Sequence, residues 1–277
     1  MNQSNQPLTI LHTAGHPADA FDLVGGTLCH HIRRGDRVVV LVFTHGTRSH
    51  SFKTIEGERF RNESVTICEA IDDKQQEVVE ACRLLDIENV RFLRHEDDLL
   101  MPNREHVLAV AKLVREIRPD VVITHSPFEP AGSTHWACSQ ITLQAVAAAG
   151  GLLDDGNLPH RVGEIFFVWI HGDTQIQDFT TPNFPAIIVD ITDVAEQKLK
   201  AIQKIQSQYY GGQFAVKMME GTNSIHSLHR CVPYSETFIP AYPHVCDYLP
   251  VSSHNLRYAA EPLEDTYRRM SQMLGAE

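Results

Sequence analysis

The chain has 277 residues, 43% of them hydrophobic and 21% charged, and a formal net charge of −11. That balance is ordinary for a globular enzyme, and an acidic chain without a basic stripe argues against a nucleic-acid partner. No apolar run approaches the ~18 residues of a bilayer-spanning helix, and the Met1–Pro7 stretch offers no basic patch or apolar leader, so a cytoplasmic location without membrane contact is expected.

Thr9–Ala14 (TILHTA) reads as a first buried strand, followed by a helix from about Ala20 to Arg34. Arg37–Thr44 (RVVVLVFT) is a second strand. The loop from His45 to Gly57 leads into a polar helical stretch, Glu58–Leu85, and Val90–Leu93 is a short third strand. Asn103–Ile117 is helical and Asp120–Thr124 (DVVIT) is a fourth strand. The loop His125–Ser133 opens a helix, Thr134–Ala149. Gly163–Ile170 and Ala186–Ile191 are later strands, and a helix runs from Thr192 to Tyr209. Apolar β-branched strands separated by helices imply a Rossmann-like, doubly wound, mostly parallel α/β sheet. With the first strand central, the core order is 3-2-1-4-5. No repeat or linker interrupts the pattern, so a single domain over 1–277 is expected, with 211–277 as a less regular extension packed on it.

In an open α/β sheet, ligands sit beyond the carboxyl ends of the strands where the order reverses. Here that crevice lies between strands one and four. The loop Gly15–Asp19 should then face the loop His125–His135, bringing together His16, Asp19 and His135. Two imidazoles and a carboxylate are the donors of an open catalytic zinc site, and another divalent metal fits the same set. His125 competes for the third place but abuts the strand; His135, at the mouth of a helix, is better placed to reach across. Taken alone, the His-x-x-Asp spacing equally describes a strand-to-helix turn with Asp19 as its cap.

Further candidates surround this crevice. Asp22, one turn beyond Asp19, either approaches the metal or is a carboxylate favoured by a helix N-terminus. Glu129 is a candidate base in the second loop, or a solvated carboxylate. His171 ends a strand in Trp169-Ile170-His171-Gly172-Asp173 and is a candidate acid–base residue. His45 and Arg48 rim the same face, where Arg48 could fork onto a substrate carboxylate. The six cysteines form no C-x-x-C pair, so they suggest neither a zinc ribbon nor a thioredoxin-type site.

Several segments in order resemble the PIG-L/LmbE superfamily. They are Gly15-His16-Pro17-x-Asp19 with Gly25-Gly26-Thr27, Lys74-x-x-Glu77 before Ala81-x-x-Leu84-Leu85, and Pro119-Asp120-Val121-Val122 with Thr124-His125. His135, Val189-Asp190-Ile191-Thr192-Asp193, Lys198 and Glu236-x-Phe238 follow. The resemblance implies a zinc-dependent enzyme, mostly of the N-acetyl-sugar deacetylase type, with His16, Asp19 and His135 as metal ligands and Lys74 as a substrate contact. Two departures bear on the chemistry. The family deacetylases read H-P-D-D, with the first Asp as general base, where this chain has Ala18. They read H-P-D-H in the second loop, where the first His helps stabilise the oxyanion; this chain has Gly132 there. A branch that includes 4-oxalomesaconate hydratase shares the H-x-A-D form, and is similar in Gly46-Thr47-Arg48, Thr124-His125-Ser126 and Arg230-Cys231-Val232; His171 matches a His in that branch. Unlike this chain, that enzyme has an acidic residue where Thr47 stands.

These features imply an enzyme acting on a small polar metabolite, with self-association left open. The first expectation is a hydratase or lyase acting on an unsaturated carboxylate. The alternative is an N-acyl deacetylase in which Asp22 or Glu129 replaces the missing base. A third reading is a non-catalytic metal- or ligand-binding relative.

Overall fold

The computed structural model describes residues 6–47, 66–97, 99–168, 187–208, 210–224 and 231–274. Among them, β1 (Thr9–Ala14), β2 (Arg37–Thr44), β3 (Val90–His95), β4 (Val121–His125), β5 (Glu164–Val168), β6 (Ile187–Asp190) and β7 (Ser235–Pro240) form one sheet, ordered β3-β2-β1-β4-β5-β7-β6. β1 to β5 pair in parallel; β7 runs antiparallel to both β5 and β6. The expected 3-2-1-4-5 core is present, in a mostly parallel α/β fold.

The helices are α1 (Gly25–Arg33), α2 (Ile67–Arg83), α3 (Arg104–Ile117), α4 (Thr134–Ala149), α5 (Ala195–Ile202), α6 (Gly212–Thr222), α7 (Ser253–Ala260) and α8 (Leu263–Met270). The period-two alternation of the strands divides them between two faces. Ile10, Ala14, Val40 and Val42 pack in one core with residues of α1, α2, α5 and α6. Leu11, Val39, Leu41 and Phe43 pack in the other with α3 and α4. Central strands buried on both sides explain the near-continuous apolar runs. No described helix is long and apolar enough to cross a membrane.

The structure differs from the sequence expectation in four places. The polar helix expected over Glu58–Leu85 spans Ile67–Arg83, because Thr66 is extended and forms a capping box with Glu69. The helix expected from Ala20 begins at Gly25, because Ala18–Ala20 is a separate 3-10 turn in which the Asp19 carboxylate bends back to accept the His16 N–H at 2.7 Å. The helix expected over Thr192–Tyr209 is broken into a 3-10 turn (Thr192–Val194), α5 and a second 3-10 turn (Gln206–Gln208). There the Glu77 carboxylate takes the Ser207 N–H at 3.1 Å and its hydroxyl at 2.6 Å, which competes with helix continuation. Finally, the stretch from 211 onward does more than pack on the domain: β7 enters the sheet between β5 and β6, its Phe238 ring edge-on to Phe166 at 6.4 Å.

Candidate metal centre

The carboxyl ends of β1, β2 and β4 are tied together by polar contacts. Thr44, closing β2, donates its hydroxyl to the Gly15 carbonyl at 2.8 Å, and the Gly15 N–H donates to His125 Nε2 at 2.9 Å. A side chain at Gly15 would crowd the cluster. A Cβ there would lie 3.0 Å from His135 Cδ2, 3.2 Å from Asp19 Oδ2 and 3.4 Å from His125 Nε2. The facing loop is set by β4 and by Ser133, whose hydroxyl accepts the Trp136 N–H at 3.1 Å and caps α4. Gly132 precedes that cap at φ +87°, a left-handed conformation that a side chain would strain.

The two loops meet at His16, Asp19 and His135. His16 Nδ1 and His135 Nε2 are 2.9 Å apart; Asp19 Oδ2 lies 3.2 Å from His135 Nε2 and 3.4 Å from His16 Nδ1. These three atoms form a near-equilateral triangle. In a tetrahedral zinc site with ligands at 2.0–2.2 Å, adjacent donors are about 3.3–3.6 Å apart, so the three atoms need open by only a few tenths of an ångström. The spacing and the donor chemistry therefore fit a divalent metal such as zinc, and no other group of described residues brings three such donors together. Asp19 and His135 are buried and His16 is nearly so. His125 touches the cluster at 3.3 Å from Asp19 Oδ2, but its Nε2 is taken by the Gly15 N–H.

The electrostatics follow from this packing. Burial alone would raise the Asp19 carboxyl; the neighbouring His135 charge and hydrogen bonds from His135 and His16 outweigh it and hold the group well below the usual carboxylate range. His125 is pushed down to about 4 by burial and then by His135, which keeps it neutral and able to accept the Gly15 N–H. For His135, burial is overcome by the Asp19, Glu129 and Asp22 carboxylates, and its pKa rises. Two imidazole nitrogens 2.9 Å apart repel unless one carries a proton or both face a cation.

The remaining expected residues fall differently. Asp22 is half-buried, but its Oδ1 is shut off from water with no hydrogen-bond partner. Desolvation, then the Asp19 charge, push it up to about 8. Glu129 is buried rather than solvated, and close enough to His135 to raise its pKa. His45 is buried, with Nδ1 3.2 Å from Asp97 Oδ1 and 3.0 Å from the Thr47 hydroxyl. Lys74 is buried on α2, which packs against the Ala18–Ala20 turn. Arg48 and His171 lie outside the described residues.

Two supporting features escaped the sequence reading. His12, fully buried mid-strand, places Nε2 2.9 Å from the Asp19 carbonyl and holds the turn from below. A histidine at a core position of an apolar strand was the available signal. The second is a buried clamp. Glu236 of β7 accepts the N–H groups of Gly26 (2.9 Å) and Thr27 (2.7 Å) at the start of α1, and the Lys198 ammonium at 2.8 Å. Lys198 also donates to Asn223 Oδ1 at 3.2 Å. The clamp fixes α1, the helix that follows the Ala18–Ala20 turn, with the anion placed where a helix N-terminus favours it.

Comparison with known proteins accords with this geometry. Residues 11–146 match the PIG-L family model, described as GlcNAc-PI de-N-acetylase. The chain is 27% identical over 213 residues to a diacetylchitobiose deacetylase of Thermococcus kodakarensis, covering 74% of this chain and 72% of that protein. It is 22% identical over 256 residues to a 4-oxalmesaconate hydratase of Pseudomonas putida, covering 90% of this chain and 95% of the relative. The crystal structure of the 4-carboxy-2-hydroxymuconate hydratase of Pseudomonas putida superposes with a TM-score of 0.73 at 20% identity, over 88% of this chain and 100% of that one. The homologues are thus hydratase and deacetylase enzymes. The order of the sheet, the His16–Asp19–His135 cluster and the family match lead to one assignment: this chain carries a PIG-L family domain over residues 11–146.

Proposed function

We propose that the chain is a zinc-dependent hydratase that adds water across the carbon–carbon double bond of a small unsaturated carboxylate, with His16, Asp19 and His135 holding the metal. The observation that carries this reading is the pairing of a kept ligand triad with two missing helpers. Ala18 is buried in the first loop and has no group to take a proton; Gly132 sits at φ +87° in the second and has none to stabilise an oxyanion. The end-to-end coverage of the hydratase relative supports the same reading.

A zinc ion at the triad would supply a water of pKa near ~7 and a Lewis acid for the substrate. The chain's own residues would do the rest. Glu129, buried and near His135, would take a proton from the attacking water. Asp22, with its raised proton affinity, would hold a proton at neutral pH and give it to the carbon that becomes saturated; His171 is the other candidate for this step. His45, oriented by Asp97, would contact the substrate together with Lys74 and Arg48, the two cations suited to carboxylates.

A second reading, N-acyl deacetylation with Asp22 or Glu129 as base, is favoured by the higher local identity to the deacetylase relative. The two separate in one assay. The metal-replete protein is offered unsaturated di- and tricarboxylates and N-acetyl amino sugars, with a metal-stripped control. Loss of alkene absorbance without acetate release is expected. Acetate release from the sugars with the alkenes untouched would overturn the hydratase reading in favour of the deacetylase.

A further inference from the structure

A second feature lies away from the metal centre. After β7 the chain forms a strap, Ala241–Val251, and then α7. From Ala241 to Leu256 only Asp247 carries a full charge. The strap turns its large apolar side chains outward: Val245, Tyr248 and Leu249 are 101%, 88% and 91% exposed, and Tyr242, Val251 and Leu256 are more than half exposed. No residue of α7 is buried. An eight-residue helix is too short to be stable by itself and depends on tertiary packing.

The same strap borders a cavity of about 850 Å³. Its walls are Val121, Ile123, Phe166, Ile187, Val189 and Phe238, the sheet face beyond the cover of α1. Of the charged groups at its edge, Arg34 and His31 are engaged with Asp36 at 2.6 Å each and His244 faces Glu164 at 3.5 Å, while Asp247 of the strap also lines it. Such a hollow suits an apolar occupant better than an ion. Two polar atoms in its wall lack a hydrogen bond among the described residues: His244 Nε2 has only the Glu164 contact at 3.5 Å, and Thr27 Oγ1 is buried with no hydrogen-bond partner. A tyrosine hydroxyl would satisfy the Thr27 hydroxyl, as buried tyrosines require in turn.

Knob and hollow thus lie on one patch of one chain, which is the condition for a two-fold interface in which each copy fills the other. We propose that this patch joins two copies of the chain, the Tyr248 and Leu249 side chains of each copy entering the cavity of the other. The exposed apolar side chains of the strap and α7 present on the order of 1,000 Å² of surface, against about 800 Å² per partner in a stable interface. Two copies of a chain of net charge −11 repel each other, and a nearly uncharged strip is where they can approach. The cavity reaches Leu8, Val121 and Glu164 at the amino ends of the strands, opposite the end that carries the triad, so pairing leaves the metal centre open.

The test is the mass of the full-length protein in solution, by light scattering or sedimentation across the micromolar range. Twice the chain mass, or a multiple of that pair, is expected for the wild type. Tyr248→Glu with Leu249→Glu should give single chains or half-size assemblies, with unchanged circular dichroism and metal binding. Should that variant fail to fold, hydrogen exchange of the wild type decides: amides of 242–258 should be more protected in concentrated than in dilute protein. A wild type that stays a single chain, with strap exchange independent of concentration, overturns the proposal. So does an assembly that survives both substitutions.

Discussion

Two buried clusters of ionisable groups flank the turn that follows β1, and they are built in opposite ways. In the Lys198–Glu236 clamp the charges answer one another. Glu236 takes two backbone N–H groups and the ammonium, and the ammonium has Asn223 as a second acceptor. In the His16–Asp19–His135 cluster, two ring nitrogens and a carboxylate oxygen crowd toward one point within 3.4 Å of each other. A folded chain satisfies its buried polar groups where it can. A cluster that is closed on itself serves architecture; one that needs a cation to complete it marks a site. The contrast also explains why a buried ion pair in this fold need not be catalytic. The clamp acts on the turn only through α1.

This contrast makes predictions that differ in size. The largest concerns the clamp. Glu236→Gln leaves the Lys198 ammonium buried without its counter-charge, and removing one member of such a pair typically costs about 3–5 kcal/mol. Urea denaturation should show a loss of that order, and a double variant, Lys198→Met with Glu236→Gln, should recover part of it. A loss below about 1 kcal/mol would place the clamp among surface pairs and dissolve the comparison. A smaller effect is expected at Glu129. Glu129→Gln should lower kcat by about 10²-fold or more, as for a general base, while leaving metal content and denaturation midpoint unchanged. Near-normal turnover in that variant would move the role to Asp22 or His171.

Much of this was legible in the sequence because the informative elements are central. β1, β2 and β4 are buried on both faces, and their short apolar runs, rich in β-branched residues in β2 and β4, read as strands of a parallel sheet. Once the order is known, the loops after β1 and β4 must face each other, and His16, Asp19 and His135 follow from topology. His125 Nε2 is occupied by the Gly15 N–H, whereas His135 Nε2 faces His16 and Asp19. What stayed hidden depends on contacts far apart in the chain. Glu236 reaches α1 across 210 residues, and no local pattern announces it. Glu77 interrupts the helix at Ser207 from 130 residues away. The burial of Glu129, expected to be either catalytic or solvated, comes from the fold of its loop rather than from its neighbours in sequence. β7 is short and antiparallel, and it owes its place in the sheet to Phe238 and Glu236 rather than to a long apolar run.

The central claim is that the triad is a metal site and the clamp is not, and metal titration of the purified, metal-stripped chain tests it most directly. Calorimetry with zinc, checked by metal analysis after dialysis, should give one tightly bound ion per wild-type chain. His135→Ala and Asp19→Asn should each abolish that binding while the stripped proteins keep their circular dichroism, because the ligands sit beyond the carboxyl ends of the strands, on the turn after β1 and the first turn of α4, outside the two apolar cores. Stoichiometric binding that persists in both variants, or a wild type that binds no zinc, would contradict the account.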